Sequence, residues 1–291
     1  MSLSLLNNES KVINFDITNG HILPLVRFFL AFSFLITLLC NAYDDLFPIE
    51  IISNYSPNVF FEKINFFYVL RYNKILCYLL SISILLITMF GFFPFITGIL
   101  QWYLIFSFVN ISAVVDGGDQ INSIICFLLI PINILDFRLN QWKLEKTVRL
   151  CSKFVGYICY MLIKIQVAIV YLHASVGKFV VPEWADGTAI YYWLQHEIYG
   201  YEYWDTISFI FGSAFLTSAI TWGSVLLELF LFCAIFMTQK YKNYLFVLGI
   251  LFHFLIFLFL GLFSFFLVMV GALLIYLLPL SHQVINSNKY V

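Results

Sequence analysis

Apolar runs separated by short polar breaks organise the whole chain. The runs at 22–40, 75–96, 98–115, 121–135, 154–178 and 219–237 mostly approach the roughly 20 residues that a helix needs to cross a hydrocarbon core of about 30 Å. A seventh run, 244–280, would make one helix of about 55 Å at 1.5 Å per residue. That is too long for a single crossing, so it is expected to fold back at Gly261-Leu262-Phe263-Ser264. The pattern predicts an all-α polytopic membrane protein with eight spans in one bundle. Its parts are a polar segment at 1–21, a transmembrane domain at 22–280 with long loops at 41–74 and 179–218, and a tail at 281–291.

The breaks have their own chemistry. Pro94 with Thr97-Gly98 is expected to make a tight turn, because proline cannot continue a helix. Asp116-Gly117-Gly118-Asp119-Gln120 reads as a hinge that turns two carboxylates toward one narrow region. The stretch 41–73 is too mixed for a span and too apolar for a free linker, which suggests that it lies on the membrane surface.

Composition agrees: 62% of residues are hydrophobic, 11% are charged and the mean hydropathy is +0.94, outside the range of soluble domains. Lipid is the implied surrounding, and no basic block points to nucleic acid. The six cysteines lie mostly in apolar runs, without C-x-x-C or a zinc-like His spacing, and are read as packing residues rather than metal ligands. No basic n-region or small-residue cleavage site precedes the first run, so that run is expected to stay in the mature protein.

Charge placement orients the bundle. Arg138, Lys143, Lys146, Arg149 and Lys153 form the densest basic loop, which the positive-inside rule puts in the cytoplasm. Alternation then makes both ends cytoplasmic and 179–218 external. That external stretch is acidic, with Glu183, Asp186, Glu197, Glu202 and Asp205, and has no Lys or Arg.

Ionisable groups inside apolar helices are costly and mark candidate sites. At about 100° per residue, Lys164, Tyr171, Ser175 and Lys178 share one stripe of the fifth run, and Gln166, His173 and Gly177 share the opposite one. Two polar stripes suggest a helix wrapped by others, which predicts the fifth span at the centre of the bundle. Glu228 and His253 fall at matched depth in the sixth and seventh spans, where they could share a proton. Arg27, near the start of the first run, reads as a snorkelling side chain. Lys178 stands at the outer end of its helix. There it is either an interfacial anchor or, if desolvated, a general base, with Asp116, Asp119 and Asp186 as the carboxylates in reach. Lys164, about 15 Å deep by its rise, needs a buried acceptor that the sequence does not name.

Tyr171, Ala174, Lys178 and Trp184-Ala185-Asp186-Gly187 resemble the signature of the vitamin K-dependent γ-carboxylase superfamily, whose membrane part is the horizontally transferred transmembrane domain. One residue more than in the carboxylase separates Lys from Trp. The similarity extends to Glu228 in Leu227-Glu228-Leu229-Phe230 and to His253. Within the superfamily, the block from Leu38-Leu39-Cys40-Asn41 to Leu46-Phe47 and the segment 116–120 are most similar to the sporulation-delaying protein B family, bacterial membrane proteins needed to mature secreted antimicrobial peptides.

The resemblance implies a catalytic group of Lys178, His253 and Glu228. It places Tyr171, Trp184, Asp186, Gly187, Asp116 and Asp119 toward substrate or partner; from the polar stripes and the apolar runs, His173 is added to that group and Lys164, Gln166 and Arg27 are read as buried polar support. It also implies a bacterial cell membrane, a secreted peptide substrate, a small partner protein encoded nearby and, as in the carboxylase, a reduced quinone. With the sequence ending soon after the expected eighth span, no counterpart of the carboxylase's large lumenal region is expected, so glutamate carboxylation itself is not implied. Three readings remain at this point: a peptide-maturation factor, a quinone-linked membrane enzyme, and a non-catalytic exporter or immunity protein.

Overall fold

The computed structural model describes residues 20–55, 60–143, 150–196, 205, 208 and 211–279. Among these, regular structure is helical apart from an isolated bridge between Phe92 and Asn140. The long helices are α1 (Ile22–Cys40), α2 (Lys74–Met89), α3 (Pro94–Ile111), α4 (Gly117–Ile134), α5 (Leu150–Lys178), α6 (Ala214–Cys233), α7 (Gln239–Leu260) and α8 (Phe263–Leu277). Six of them, α1 and α3 to α7, are long and apolar enough to cross a membrane. The apolar helices α2 and α8 have 16 and 15 residues, or about 24 and 23 Å of rise. Their outward faces need a bilayer as solvent: on α7 alone Val247, Leu251, Phe254 and Leu258 are exposed, a patch that water would not tolerate. The chain is an all-α multi-pass membrane protein.

The centre of the bundle is α8, not α5. Every residue from Leu267 to Leu277 is buried, and α8 packs on α1, α4, α5 and α7. A helix that is apolar all round belongs inside, and Gly271 lets the Phe29–Leu30 turn of α1 come close. α5 is two-faced: Val167, Ala168, Tyr171 and Ser175 are buried, while Ile165, Ile169, His173 and Val176 are exposed.

Several turns differ from the sequence expectation. The α2–α3 reversal occupies residues 90–93, where Gly91 and Phe93 have positive φ. Pro94 then opens α3 at its first position, where its missing N–H is no loss. Thr97 and Gly98 lie inside α3, and a Cβ on Gly98 would meet Asn133 at 2.5 Å, so Gly98 sets the close approach of α3 and α4. The segment 116–120 is not a hinge but the start of α4, with Asp116 as N-cap in a reciprocal capping box with Asp119. The predicted reversal at Gly261 is present, with left-handed Gly261 (φ +72°) ending α7.

The segment after α1 folds as short helices, Tyr43–Leu46, Ile49–Asn54, Phe60–Lys63 and Phe66–Val69. Phe47 and Phe67 are buried against Phe108 of α3. Asn65 caps the last of these helices and donates to the Ser107 carbonyl at 2.7 Å.

Arg27 does not snorkel. It is fully buried and donates from Nη1 to Gln141 Oε1 at 2.8 Å and from Nη2 to Thr97 Oγ1 at 2.9 Å. Nearby, Asp136 and Arg138 form a buried ion pair at 2.6 Å. Arg27 thus ties α1 to the first turn of α3 and to the loop after α4. Lys146, Arg149, Glu197, Glu202 and the segments 1–19 and 280–291 lie outside the described residues.

Candidate functional site

The register between α5 and α6 brings the polar groups together. The two helices pack side by side, pinned where Ser175 Oγ donates to the Val225 carbonyl at 3.1 Å. Lys178 stands one turn beyond Ser175, and Glu228 one turn past Val225 in the opposite direction along the pair, so their backbones are separated by about 9 Å of rise. Helical side chains lean toward their own N-terminus. In an antiparallel pair that lean points Lys178 and Glu228 at each other, and they form an ion pair. The lysine at the helix end therefore turns into the bundle, leaving only 20% of its side chain exposed against 8% for Glu228.

One layer further in, Tyr171 OH and His253 Nε2 are 3.0 Å apart, both residues being buried. The expected Glu228–His253 partnership is therefore replaced by two bonds, each to a residue of α5. His253 Nδ1 has no hydrogen-bond partner among the described residues, and the ring stands edge-on to Phe265 of α8 at 5.5 Å.

A lid lies over Lys178. After α5 the chain makes two short helices, Pro182–Ala185 and Ala189–Leu194. The first places the Trp184 ring 4.9 Å from Lys178 Nζ, a cation–π geometry. Gly187 has φ +87°, and a Cβ there would meet Trp222 at 2.9 Å. Only glycine gives this turn without strain, and it lays the second short helix on α6, where Ile190 N–H donates to Thr221 Oγ1 at 3.4 Å.

Other expected site residues lie elsewhere. Asp116 and Asp119 satisfy each other's backbone in the capping box, and the acid that holds Lys178 is Glu228. Asp119 Oδ1 is buried without a hydrogen-bond partner among the described residues, and Gly118 abuts Phe265, the residue that also touches His253. Asp186 is spent locally, accepting from Thr188 N and Oγ1 at 3.0 and 2.6 Å. His173 is exposed on the outer face of α5, and Gln166 lines an apolar seam with Ile121, Ile124 and Met269. No group of three or more His, Cys, Asp or Glu suited to a metal ion occurs among the described residues.

Two relatives cover nearly the whole of this architecture. The chain is 36% identical over 267 residues to the sporulation-delaying protein SdpB of Bacillus subtilis, covering 89% of this chain and 82% of the relative. It is 31% identical over 291 residues to the uncharacterized protein YitO of the same organism, covering 96% and 93%. The chain belongs to the SdpB family. No family model and no solved structure matches it.

For this SdpB-family chain, the residues missed by sequence reasoning are the ones that hold the others in place. Trp222 fixes the lid, while the register is fixed by Ser175, which the sequence placed on the polar stripe without its Val225 partner. Tyr276, buried in α8, donates to the Leu231 carbonyl at 2.8 Å and braces α6 from behind. A hydroxyl inside an otherwise apolar run was the available signal for Tyr276; for Trp222 there was none.

Proposed function

We propose that this protein works in the membrane to mature or export a secreted peptide of the sporulation-delaying type, and that Lys178 and Glu228 form the acid–base pair at its centre. The observation that carries the reading is the position of Lys178, held on a buried carboxylate under the Trp184 lid. Moving one proton from the ammonium to the carboxylate gives a neutral amine and a neutral acid. A low-dielectric site tolerates that exchange better than it tolerates an unpaired charge. A peptide bound under the lid would meet the amine as a base, with Tyr171 and His253 as the hydrogen-bonded layer beneath it. This arrangement, with the Tyr171 to Gly187 motif, favours placing the chain within the γ-carboxylase-like superfamily. A bacterial cell membrane and a small partner that presents the peptide complete the proposal.

The direct test co-expresses the chain with a sporulation-delaying-type precursor and follows the medium by mass spectrometry. Mature peptide is expected with the chain and not without it; equal amounts in both would overturn the proposal.

We further propose that α2 and α8 complete eight crossings, with both ends in the cytoplasm. Both helices are shorter than a hydrocarbon core, but α8 is wrapped by protein and α2 packs on α1 and α3. Reporters fused at Lys146 and at Glu202 are expected on opposite sides of the membrane; the same side for both rejects this topology.

A further inference from the structure

The second polar stripe of α5, with Gln166 and His173, takes no part in the site around Lys178. His173 is exposed, and Gln166 is half-buried at the edge of the same outward face. Neither side chain hydrogen-bonds another described residue. Gln166 stands at the midpoint of the span Phe154–Lys178, about 18 Å of rise from either end, where the bilayer is driest. Hydrocarbon offers no donor or acceptor, so an amide left there forfeits its hydrogen bonds. Histidines in membrane helices ordinarily face the bundle interior or a watery cavity; His173 does neither.

Three apolar residues complete a longer pattern. Leu162, Gln166, Ile169, His173 and Val176 follow one another at intervals of 4, 3, 4 and 3 residues, the spacing of a and d positions along a coiled-coil contact. With Gln166 and His173 at a, the residues Leu162, Ile169 and Val176 fall at d, and each of the three is about half exposed. Gly177 has nothing within 4 Å of the place where a Cβ would stand, which leaves room for another helix to come close at the outer end. The buried side of α5 is taken by α4, α6 and α8.

The chemistry of the two polar groups points to what covers this face. A glutamine amide carries both donors and an acceptor, and a neutral imidazole carries one of each. Copies of one membrane protein share an orientation, so a two-fold axis along the membrane normal brings each position of α5 opposite itself. Gln166 then exchanges N–H···O bonds with its own counterpart, and His173 donates to or accepts from its counterpart. Polar a positions of this kind fix register and strand number in coiled coils. We infer that this protein pairs with a second copy of itself through the outward face of α5, with Gln166 and His173 hydrogen-bonded across the two-fold axis. Tyr171 and Lys178 lie on the opposite side of the helix, so the inference does not rest on the proposed maturation role.

The test counts copies of the full chain, purified, carrying one fluorescent label each and reconstituted at low density in bilayers. Bleaching in two steps is expected. Gln166→Leu and His173→Leu keep the bulk and remove the hydrogen bonds, and each should weaken the dimer about threefold to tenfold. Gln166→Asn, which retains an amide, should preserve it. In membranes, with the native cysteines replaced by serine, Ile169→Cys and Val176→Cys should give disulfide-linked dimers on mild oxidation, whereas Val247→Cys, on the exposed face of α7, should not. One-step bleaching of the unmodified chain overturns the dimer even if a substitution impairs folding. Two-step bleaching that persists undiminished in the double leucine variant overturns the role of α5, as do crosslinks from Ile169→Cys to a different protein in place of a dimer.

Discussion

Glu228→Ala is expected to destabilise the folded bundle by about 3 kcal/mol, the low end of the 3–5 kcal/mol typical when one partner of a buried ion pair is removed. The low end applies because Lys178 keeps a fifth of its side chain exposed and can partly recover solvent when its carboxylate is gone. The loss comes mainly from the stranded ammonium, so removing both charges should restore most of it. Replacing a buried pair with apolar residues of similar volume is commonly neutral or stabilising by about 1–4 kcal/mol, and Lys178→Met with Glu228→Leu should therefore unfold near the parent. Unfolding midpoints of the parent, the two single variants and the double variant, purified in one detergent, close the cycle. A loss below about 1 kcal/mol in Glu228→Ala, the value of an exposed pair, would show that the pair does not hold α5 to α6.

The double variant also separates stability from function. It should fold, insert and fail to yield mature peptide, whereas an exporter that needed only the bundle would still work. That outcome would show that stability alone does not explain why two costly charges are kept inside an apolar bundle.

The inward face of α5 was legible in the sequence because it depends on one helix: a period of 100° puts Lys164, Tyr171, Ser175 and Lys178 on one stripe, and that stripe is the buried one. Glu228 and His253 were legible as ionisable residues within apolar runs. Their partners were not, because pairing depends on register between helices. That register is set by Ser175 on Val225 and by Gly187 against Trp222, contacts between residues tens of positions apart. The central position was assigned to α5 because polar stripes look as if they need shelter, but α8, with no charged residue at all, is the better-buried helix. Arg27 shows the same limit: its acceptors Gln141 and Thr97 lie 114 and 70 residues away. The Asp116–Asp119 capping box, by contrast, is a local three-residue spacing, and the two glycines between its members drew attention to a hinge instead.

Lys178→Arg is expected to leave expression, membrane insertion and thermal stability close to the parent and to abolish peptide maturation. Arginine keeps the positive charge. It can still pair with Glu228, bidentately if the geometry allows, and can still stack beneath Trp184. What it cannot do is give up its proton, since the guanidinium stays protonated in proteins. The substitution therefore keeps everything that an anchoring or bracing lysine would contribute and removes only the capacity to act as a base. Lys178→Ala is less informative, because it also strands Glu228 and so mixes loss of chemistry with loss of structure. Secreted peptide is measured by mass spectrometry against the amount of folded protein in the membrane, which keeps a small change in expression from passing as a change in chemistry. Full maturation in the Arg variant would eliminate proton transfer at Lys178 and leave the ion pair as a brace between α5 and α6. A complete loss alongside an unchanged unfolding midpoint would locate the chemistry at the amine, since the charge, the partner and the lid would all still be in place.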